Sequence, residues 1–331
     1  MRRTTAWVFV FLTLCALAWP AGQAFAQGVT TSALTGVVTD GQGAVIPGAT
    51  VTAVHQPSAT IYEALTQSDG RFNLQGLRVG GPYTVTASLT GFRSQAQNNL
   101  TLALGVAQDL AFTLELANLS ETITVVGATS PIFSSNRTGA STSVARDDLA
   151  VLPTVTGRIN DITRLAPQAG ASGTFSGQDN RMNNITVDGS YFNNSFGLGG
   201  QPGDRTNVAP ISLEAIEQVQ VSVAPYDVRQ GNFVGAGVNM VTRSGTNRVV
   251  GSIYTRYRNE SFVGKEIAGT PFNPGEFTTK NTGTWLGGPI IKNRLFAFGS
   301  FERQLDVRPL VTFRANQGGE PVTGAVTRVL K

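Results

Sequence analysis

Few side chains of this sequence could perform acid–base, nucleophilic or metal chemistry. Its 331 residues include one histidine, His55, and one cysteine, Cys15. A zinc site built from several histidine and cysteine ligands cannot be assembled from that pair. The acidic pair Asp147 and Asp148 has no third ligand close in sequence, and acidic residues at such a position suit the start of a helix. We therefore expect no metal, no cofactor and no enzymatic activity.

Other candidate motifs have simpler interpretations. Two glycine-rich stretches, 197–203 and 231–237, lack the G-x-G-x-x-G spacing of a phosphate-binding loop, so we interpret them as loops. Asp188 precedes a glycine and is expected in a turn rather than as an acid or base. His55 lies beside Gln56-Pro57, which predicts a position at the surface or at a strand edge.

Charge and the N-terminus indicate an exported protein without a nucleic-acid partner. The formal net charge is only +4, and the basic residues are not clustered. Arg2 and Arg3 precede an apolar run, Trp7–Trp19, and the A-x-A motif ends at Ala26, which predicts a signal peptide over residues 1–26. The apolar run is shorter than the ~20 residues of a spanning helix. The exported chain would contain no cysteine, so its stability must come from core and sheet.

The elements that must position any site are mostly strands. Residues 28–127 contain short alternating segments separated by turns rich in Gly, Asp and Pro, which predicts a β-sandwich. The predicted strands are Leu34–Thr39, Ala49–Val54, Arg71–Leu74, Tyr83–Leu89, Leu110–Leu116 and Glu121–Val126.

The remaining chain divides into two further blocks. Residues 128–247 are rich in Gly, Asn, Ser and Thr but carry regular apolar segments, which favour a mixed α/β domain over a disordered linker. Residues 248–331 read as strand, long loop, strand, short turn and strand with aromatic residues. That order is typical of an outer-membrane barrel, although an ordinary soluble hairpin would look similar.

Three motifs of the first block resemble the carboxypeptidase regulatory-like domain, a seven-stranded, transthyretin-like sandwich. They are D-x-x-G-x-x-x-P-G-A-x-V from Asp40, T-x-x-D-G-R-F from Thr66, and G-x-Y-x-V from Gly81 with Gly91-Phe92. In bacteria this domain commonly precedes TonB-dependent outer-membrane receptors. The segment that follows looks like a TonB box, an extended segment to which TonB adds a β-strand. Its TonB-contacting residues would be Glu121, Thr122, Ile123, Thr124, Val125 and Val126. The alternative is that this segment is simply the last strand of the sandwich.

The second and third blocks resemble the plug and first barrel strands of the same receptors. The matching pieces start at Arg181, Ile211 and Asn239, while the stretch from Ala224 to Gly237 and the hairpin from Gly287 are similar to the Oar-like subgroup. Six plug arginines could face an anionic ligand, or pair with carboxylates on the barrel wall, which we favour: Arg137, Arg146, Arg158, Arg164, Arg181 and Arg205.

The resemblance implies a mainly β chain with five parts. These are a signal peptide (1–26), the sandwich (28–120), the TonB-box-like segment (121–127), the plug (128–247) and the first strands of a barrel (248–331). Since only three or four strands follow residue 248, we expect an incomplete barrel, either a piece of a longer receptor or a truncated gene.

Such a receptor resides in the outer membrane, with its sandwich on the periplasmic side. It binds TonB, with TonB's inner-membrane energising complex, and takes up a scarce solute that the sequence does not identify. The alternative is a periplasmic or surface sandwich that binds carbohydrate or protein without transport. The aromatic residues that could stack on sugar, namely Tyr62, Phe72, Tyr83 and Phe92, are expected mostly in the core.

Overall fold

The computed structural model contains a two-sheet sandwich, a mixed sheet with short helices, and an open antiparallel sheet, in that order along the chain. We call the second the plug sheet and the third the wall sheet. The predicted signal peptide lies outside the described residues. Those residues are 29–117, 123–125, 139–152, 154, 157–170, 173–194, 202–203, 209–225, 230–267, 269–271, 273, 275–312 and 322–330.

The sandwich is built from eight strands in two sheets, with orders β4-β1-β7 and β3-β2-β5-β6-β8. Side chains of β1 alternate between buried and half-buried, the period of a strand with one face in a core. The predicted seven-stranded sandwich is confirmed by β1–β7, and β8 is an eighth, short strand. The bounds are β1 Ser32–Asp40, β2 Thr50–His55, β3 Thr60–Leu65, β4 Arg71–Leu77, β5 Gly80–Ser88, β6 Gln95–Leu102, β7 Ala107–Leu114 and β8 Ile123–Val125.

The sandwich core is aromatic and aliphatic. Phe72 and Phe112 are fully buried, with ring centroids 6.1 Å apart. Gly36 of the central strand β1 lies against them. A Cβ at Gly36 would overlap the carbonyl oxygen of Leu110 and lie 2.7 Å from the ring of Phe72, so only glycine fits there.

The plug sheet has the strand order β11-β10-β13-β12-β9. Its buried strand β12 pairs antiparallel with both β13 and β9, while β10 pairs parallel with β13. Two short helices accompany the sheet: α1 (Arg146–Val151), whose first turn contains the acidic pair expected to start a helix, and α2 (Ile159–Thr163). The strands are β9 Gly139–Ala145, β10 Asn184–Val187, β11 Ser190–Tyr191, β12 Ile216–Pro225 and β13 Gly237–Thr242.

The wall sheet is open and antiparallel, with the order β14-β17-β18-β19. One face carries buried polar side chains such as Asn281 and Gln304, and Gln304 accepts a hydrogen bond from the backbone N–H of Ala209. The other face exposes large apolar side chains, such as Ile253 and Phe301. The strands are β14 Val250–Asn259, β17 Thr278–Ile291, β18 Leu295–Thr312 and β19 Val322–Leu330, with a small hairpin, β15 Glu266–Ile267 and β16 Thr270–Pro271, between β14 and β17.

This polar-inside, apolar-outside alternation is the pattern of strands in outer-membrane barrels. The connection between β17 and β18 is a tight turn at 292–294, whereas β14 and β17 are joined by a long connection over 260–277. Both features agree with the expected order of strand, long loop, strand and short turn. In the described part of the chain, no helix has the length and apolar character to cross a membrane.

Candidate coupling site

Half of the TonB-box-like segment is a described strand at the edge of the sandwich. β8 pairs parallel with β6, with Ile123 opposite Gln95, Thr124 opposite Ala96, and Val125 opposite Gln97. The other three predicted contact residues, Glu121, Thr122 and Val126, lie outside the described residues. Ile123–Val125 is therefore the last strand of the sandwich, as the alternative interpretation expects, and its role as a TonB box stays a prediction.

β6, the strand next to β8, is hydrogen-bonded to the other sheet of the sandwich. Its side chains Gln95 and Gln97 reach the other sheet of the sandwich: Gln95 Oε1 accepts from the backbone N–H of Thr113 at 2.7 Å, and Gln97 Nε2 donates to the carbonyl of Ala111 at 2.9 Å. These bonds satisfy backbone groups of β7 at an otherwise open edge. The two sheets are thereby joined at the place where β8 pairs.

Two glutamines of β12 attach the sandwich to the plug sheet. Gln218 Oε1 accepts from the backbone N–H of Leu104 at 2.9 Å, and Gln220 Nε2 donates to the carbonyl of Leu104 at 2.8 Å. Both bonds are buried. Leu104 also packs with Val29 and Val79 of the sandwich and with Val241 of β13. The sandwich is therefore docked on the plug by specific polar bonds around a small apolar cluster.

The sandwich also contacts the end of the wall sheet that carries the short turn. The backbone N–H of Asn247 donates to the carbonyl of Pro57 at 2.8 Å, and Arg78 donates to Ser244. Asn247 in turn exchanges two 2.8 Å bonds with Asn293 in the turn between β17 and β18. The sandwich thus lies on the short-turn side of the wall sheet, opposite the long connection.

An ion cluster joins the plug to the inner face of the wall sheet. Glu214 binds Arg146 of α1 through Oε2 at 2.6 Å and Arg256 of β14 through Oε1 at 2.8 Å. Burial opposes ionisation of Glu214, but the two guanidinium groups outweigh it and hold the pKa of this carboxyl below its usual range. A single carboxylate therefore bridges a plug helix and a wall strand.

Further contacts extend this cluster through Glu302 and Arg243. Ser212 donates to Glu302 of β18 at 2.9 Å, and the Tyr254 hydroxyl donates to the same carboxylate at 2.6 Å. The guanidinium of Arg243, which follows β13, lies 3.7 Å from the centroid of the Trp285 ring. Burial raises the pKa of the neighbouring Glu217, and Arg243 at 3.9 Å offsets this only in part.

The arginines singled out from the sequence do not form one site. Arg146 pairs with Glu214, a carboxylate of the plug and not of the wall. In the ion pair between plug and wall the plug supplies the carboxylate, Glu214, and the wall supplies the arginine, Arg256. Arg181 pairs with Asp179 at the surface, and Arg158 is buried. Arg137 and Arg205 lie outside the described residues. Sequence reasoning missed Glu214 as a bridge, although it lies within the plug motif that starts at Ile211.

The other candidate motifs have structural roles. Asp188 adopts a positive φ in a turn, and its carboxylate accepts two bonds from Thr242, at 2.9 and 2.7 Å. Asp147 and Asp148 lie in the first turn of α1. A Cβ at Gly235 would overlap the side chain of Asn183, so close packing explains that glycine. The stretch 197–203 is largely outside the described residues.

The expected surface position of His55 is wrong. Its side chain is only 6% exposed, and Nδ1 lies 2.6 Å from the hydroxyl of Ser58. The four aromatic residues that could have stacked on sugar belong to the core: Phe72 and Tyr83 are fully buried, and Tyr62 and Phe92 pack against them. Among the described residues, no group of three or more His, Cys, Asp or Glu side chains could hold a metal ion.

Comparison with known proteins agrees with this architecture. Residues 33–115 match the model of the carboxypeptidase regulatory-like domain, and residues 241–315 match that of an outer membrane beta barrel domain. The TonB-dependent transporter Oar of Myxococcus xanthus is 26% identical over 323 residues. The resemblance to Oar-like, TonB-dependent receptors is confirmed. The alignment covers 90% of this chain but only 29% of the Myxococcus transporter.

Solved outer-membrane receptors show partial likeness to this chain. The siderophore receptor PirA from Pseudomonas aeruginosa is 19% identical, with a TM-score of 0.36 over 52% of this chain and 30% of its own. The outer membrane transporter YddB from Escherichia coli is 13% identical, with a TM-score of 0.44 over 57% of this chain and 29% of its own. These named relatives are transporters or receptors, not enzymes.

Proposed function

We propose that this chain forms the accessory sandwich, plug and first barrel strands of a TonB-dependent outer-membrane receptor for energy-coupled uptake of a scarce solute. The observation that carries the proposal is the similarity to the Myxococcus transporter over 90% of the chain. The proposed division is a signal peptide (1–26), a sandwich (28–120), a TonB-box-like segment (121–127), a plug (128–247) and barrel strands (248–331).

The geometry supports a periplasmic position for the sandwich. In outer-membrane barrels the short turns face the periplasm and the long loops face outward. The sandwich contacts Asn247, which is bonded to the short turn at Asn293. The long connection over 260–277 would then lie outside the cell. In this orientation Ile123–Val125 would be on the side from which TonB approaches.

The coupling would run from the TonB-box-like segment into the plug. TonB would add a strand to residues 121–126, and the energised inner-membrane complex would then act on the chain that leads into β9. The Glu214 cluster and the Arg243–Trp285 contact would hold the plug against the wall until then. The solute would enter from the external face. We propose transport without catalysis and without a nucleic-acid partner.

The first test is binding of the purified periplasmic C-terminal domain of TonB to the full chain in detergent. We expect Thr124→Pro to abolish binding, because proline removes a backbone N–H and is poorly accepted inside a strand. Thr124→Val is the matched control, since it keeps the strand backbone and changes only the side chain. Equal binding by both variants, or no binding by the wild-type chain, would contradict strand addition at this segment.

A blot of fractionated source cells tests the location. An antibody against residues 130–247 should detect its antigen in the outer membrane, in a band whose mobility changes on heating. A soluble periplasmic band would instead favour the binding-module alternative.

A further inference from the structure

We propose that the sandwich presents Ile123–Val125 to TonB as a ready-made edge strand, so that TonB extends the sandwich sheet without displacing it. This inference rests on the proposed function and concerns how the same segment is offered. It would make the sandwich part of the docking surface, with the sheet order β3-β2-β5-β6-β8 continued by one strand of the partner.

The backbone pairing leaves one side of β8 available. In a parallel ladder the N–H and C=O groups of successive residues point alternately to the two sides of the strand. β6 therefore uses only some of the polar backbone groups of Ile123–Val125, and the others point to the opposite side. On the other side of β8, the described part of the chain contributes no strand. An edge of this kind is a template for strand addition by another chain.

β6, the strand next to β8, is fixed by hydrogen bonds to strands of both sheets and can therefore hold β8 extended. β6 pairs antiparallel with β5, and its Gln95 and Gln97 side chains bond to β7 in the other sheet. Just upstream, the backbone N–H of Arg93 donates to the carbonyl of Glu115 at 2.7 Å. A strand that is already ordered loses less conformational entropy on binding than a free peptide. Retention on β6 should therefore favour TonB binding.

The position of β8 also leaves room for a partner. β6 runs from Gln95 towards Leu104, the residue that docks on the plug, and β8 pairs at the start of β6. Gln97 precedes Leu104 by seven residues. At the rise of an extended strand this corresponds to about 20 Å, so the open edge lies well away from the plug contact.

A disulfide can lock β8 on β6. Ala96 and Thr124 are directly paired on adjacent strands, which brings their Cα atoms within the range that a disulfide spans. We would make the double variant A96C/T124C in the full chain, where the only other cysteine is Cys15 in the predicted signal peptide. The control is T86C/T124C. Thr86 pairs with Ala96 from the far side, two strands away from Thr124, and should not form a disulfide.

The Kd of the TonB domain for the oxidised and for the reduced form then shows whether β8 must leave β6 when TonB binds. We expect A96C/T124C to oxidise, and its oxidised form to bind TonB with a Kd equal to the reduced form within about threefold, or lower. Loss of binding on oxidation, with binding intact in the reduced form, would overturn the inference and show that β8 must leave the sandwich. Failure of A96C/T124C to oxidise would also overturn it. If neither form binds, the proposed function itself fails.

Discussion

His55 shows how a single titratable residue can couple the stability of the sandwich to pH. It is buried beside Tyr83, with ring centroids 4.9 Å apart, and hydrogen-bonded to Ser58. Burial, together with the nearby charge of Arg78, lowers the pKa of His55 from 6.5 to about 4. The folded state therefore keeps this imidazole neutral at pH values where the unfolded chain protonates it.

We predict that this residue makes the sandwich less stable in mild acid. Its contribution is fully present above pH 6.5 and is lost as the pH falls from there towards 4. His55→Gln should remove that dependence, which amounts to about 2 kcal/mol of unfolding free energy between pH 7.5 and 4.5. Urea unfolding of both chains across this range measures the difference. Parallel curves for the two chains would show that His55 is not the group responsible.

At the scale of elements, the Glu214 cluster joins parts of the chain that are distant in sequence. Arg146 lies in α1, Glu214 in the turn before β12, and Arg256 in β14. The side chains of Glu214 and Arg146 are only about a fifth exposed. Water therefore screens the pair less than it would at the surface, and removal of the carboxylate would leave two guanidinium groups facing each other.

We predict that Glu214→Gln weakens the attachment of the plug to the wall sheet by about 2 kcal/mol. The fluorescence of Trp285 reports this contact, because the other two tryptophans, Trp7 and Trp19, lie in the predicted signal peptide. The midpoint of the emission change in urea should fall. Asp179→Asn is the matched control, since it alters an exposed ion pair with Arg181 and should change stability by less than about 0.5 kcal/mol.

Sequence patterns predicted those elements that have one clearly buried face. β1, β2 and β5 alternate regularly, and each was expected close to its observed bounds. β3 and β6 were missed. In β3 the side chains alternate between half-buried and exposed, so none is fully buried. β6 begins with four polar or small residues, and its glutamines bond across the edge of the sandwich. Such strands are specified by their neighbours rather than by their own hydrophobic period.

The site was less predictable than the fold. The identification of residues 121–127 as a TonB box stays a prediction, and the pairing of Ile123–Val125 with β6 depends on contacts between residues 28 positions apart. The bridge by Glu214 needs three elements in place before it can form, and no local pattern marks it. Gln218 and Gln220 look like ordinary polar positions of a strand until the sandwich covers them.

At the scale of the whole molecule, the docking of the sandwich is the feature that unites the chain. Gln218 and Gln220 satisfy both backbone groups of Leu104, which would otherwise be buried without partners. Gln218 accepts from the Leu104 N–H and Gln220 donates to the Leu104 carbonyl, so the two bonds fix the orientation of this backbone as well as its position. A sandwich fixed in this way would follow any movement of β12.

We predict that the double variant Q218A/Q220A releases the sandwich from the plug. The Leu104 amide should exchange with deuterium much faster, because loss of each buried bond costs about 1–3 kcal/mol. Gln56→Ala is the control, since the Gln56 side chain donates to Thr84 in an exposed hydrogen bond within the sandwich. Unchanged exchange at Leu104 in the double variant would show that the apolar cluster and the contacts at Asn247 and Ser244 hold the two units together without these glutamines.

The position of β9 has a mechanical consequence. β9 is the outermost described strand of the plug sheet, where its strand neighbour is β12, and it is the next described element after β8. Its first residue, Gly139, is paired with Pro225 at the far end of β12. A load applied at Gly139 and directed away from β12 would open the β9–β12 ladder one rung at a time, instead of shearing all rungs at once. The remaining four strands of the plug sheet could then stay folded while a path opens beside β12.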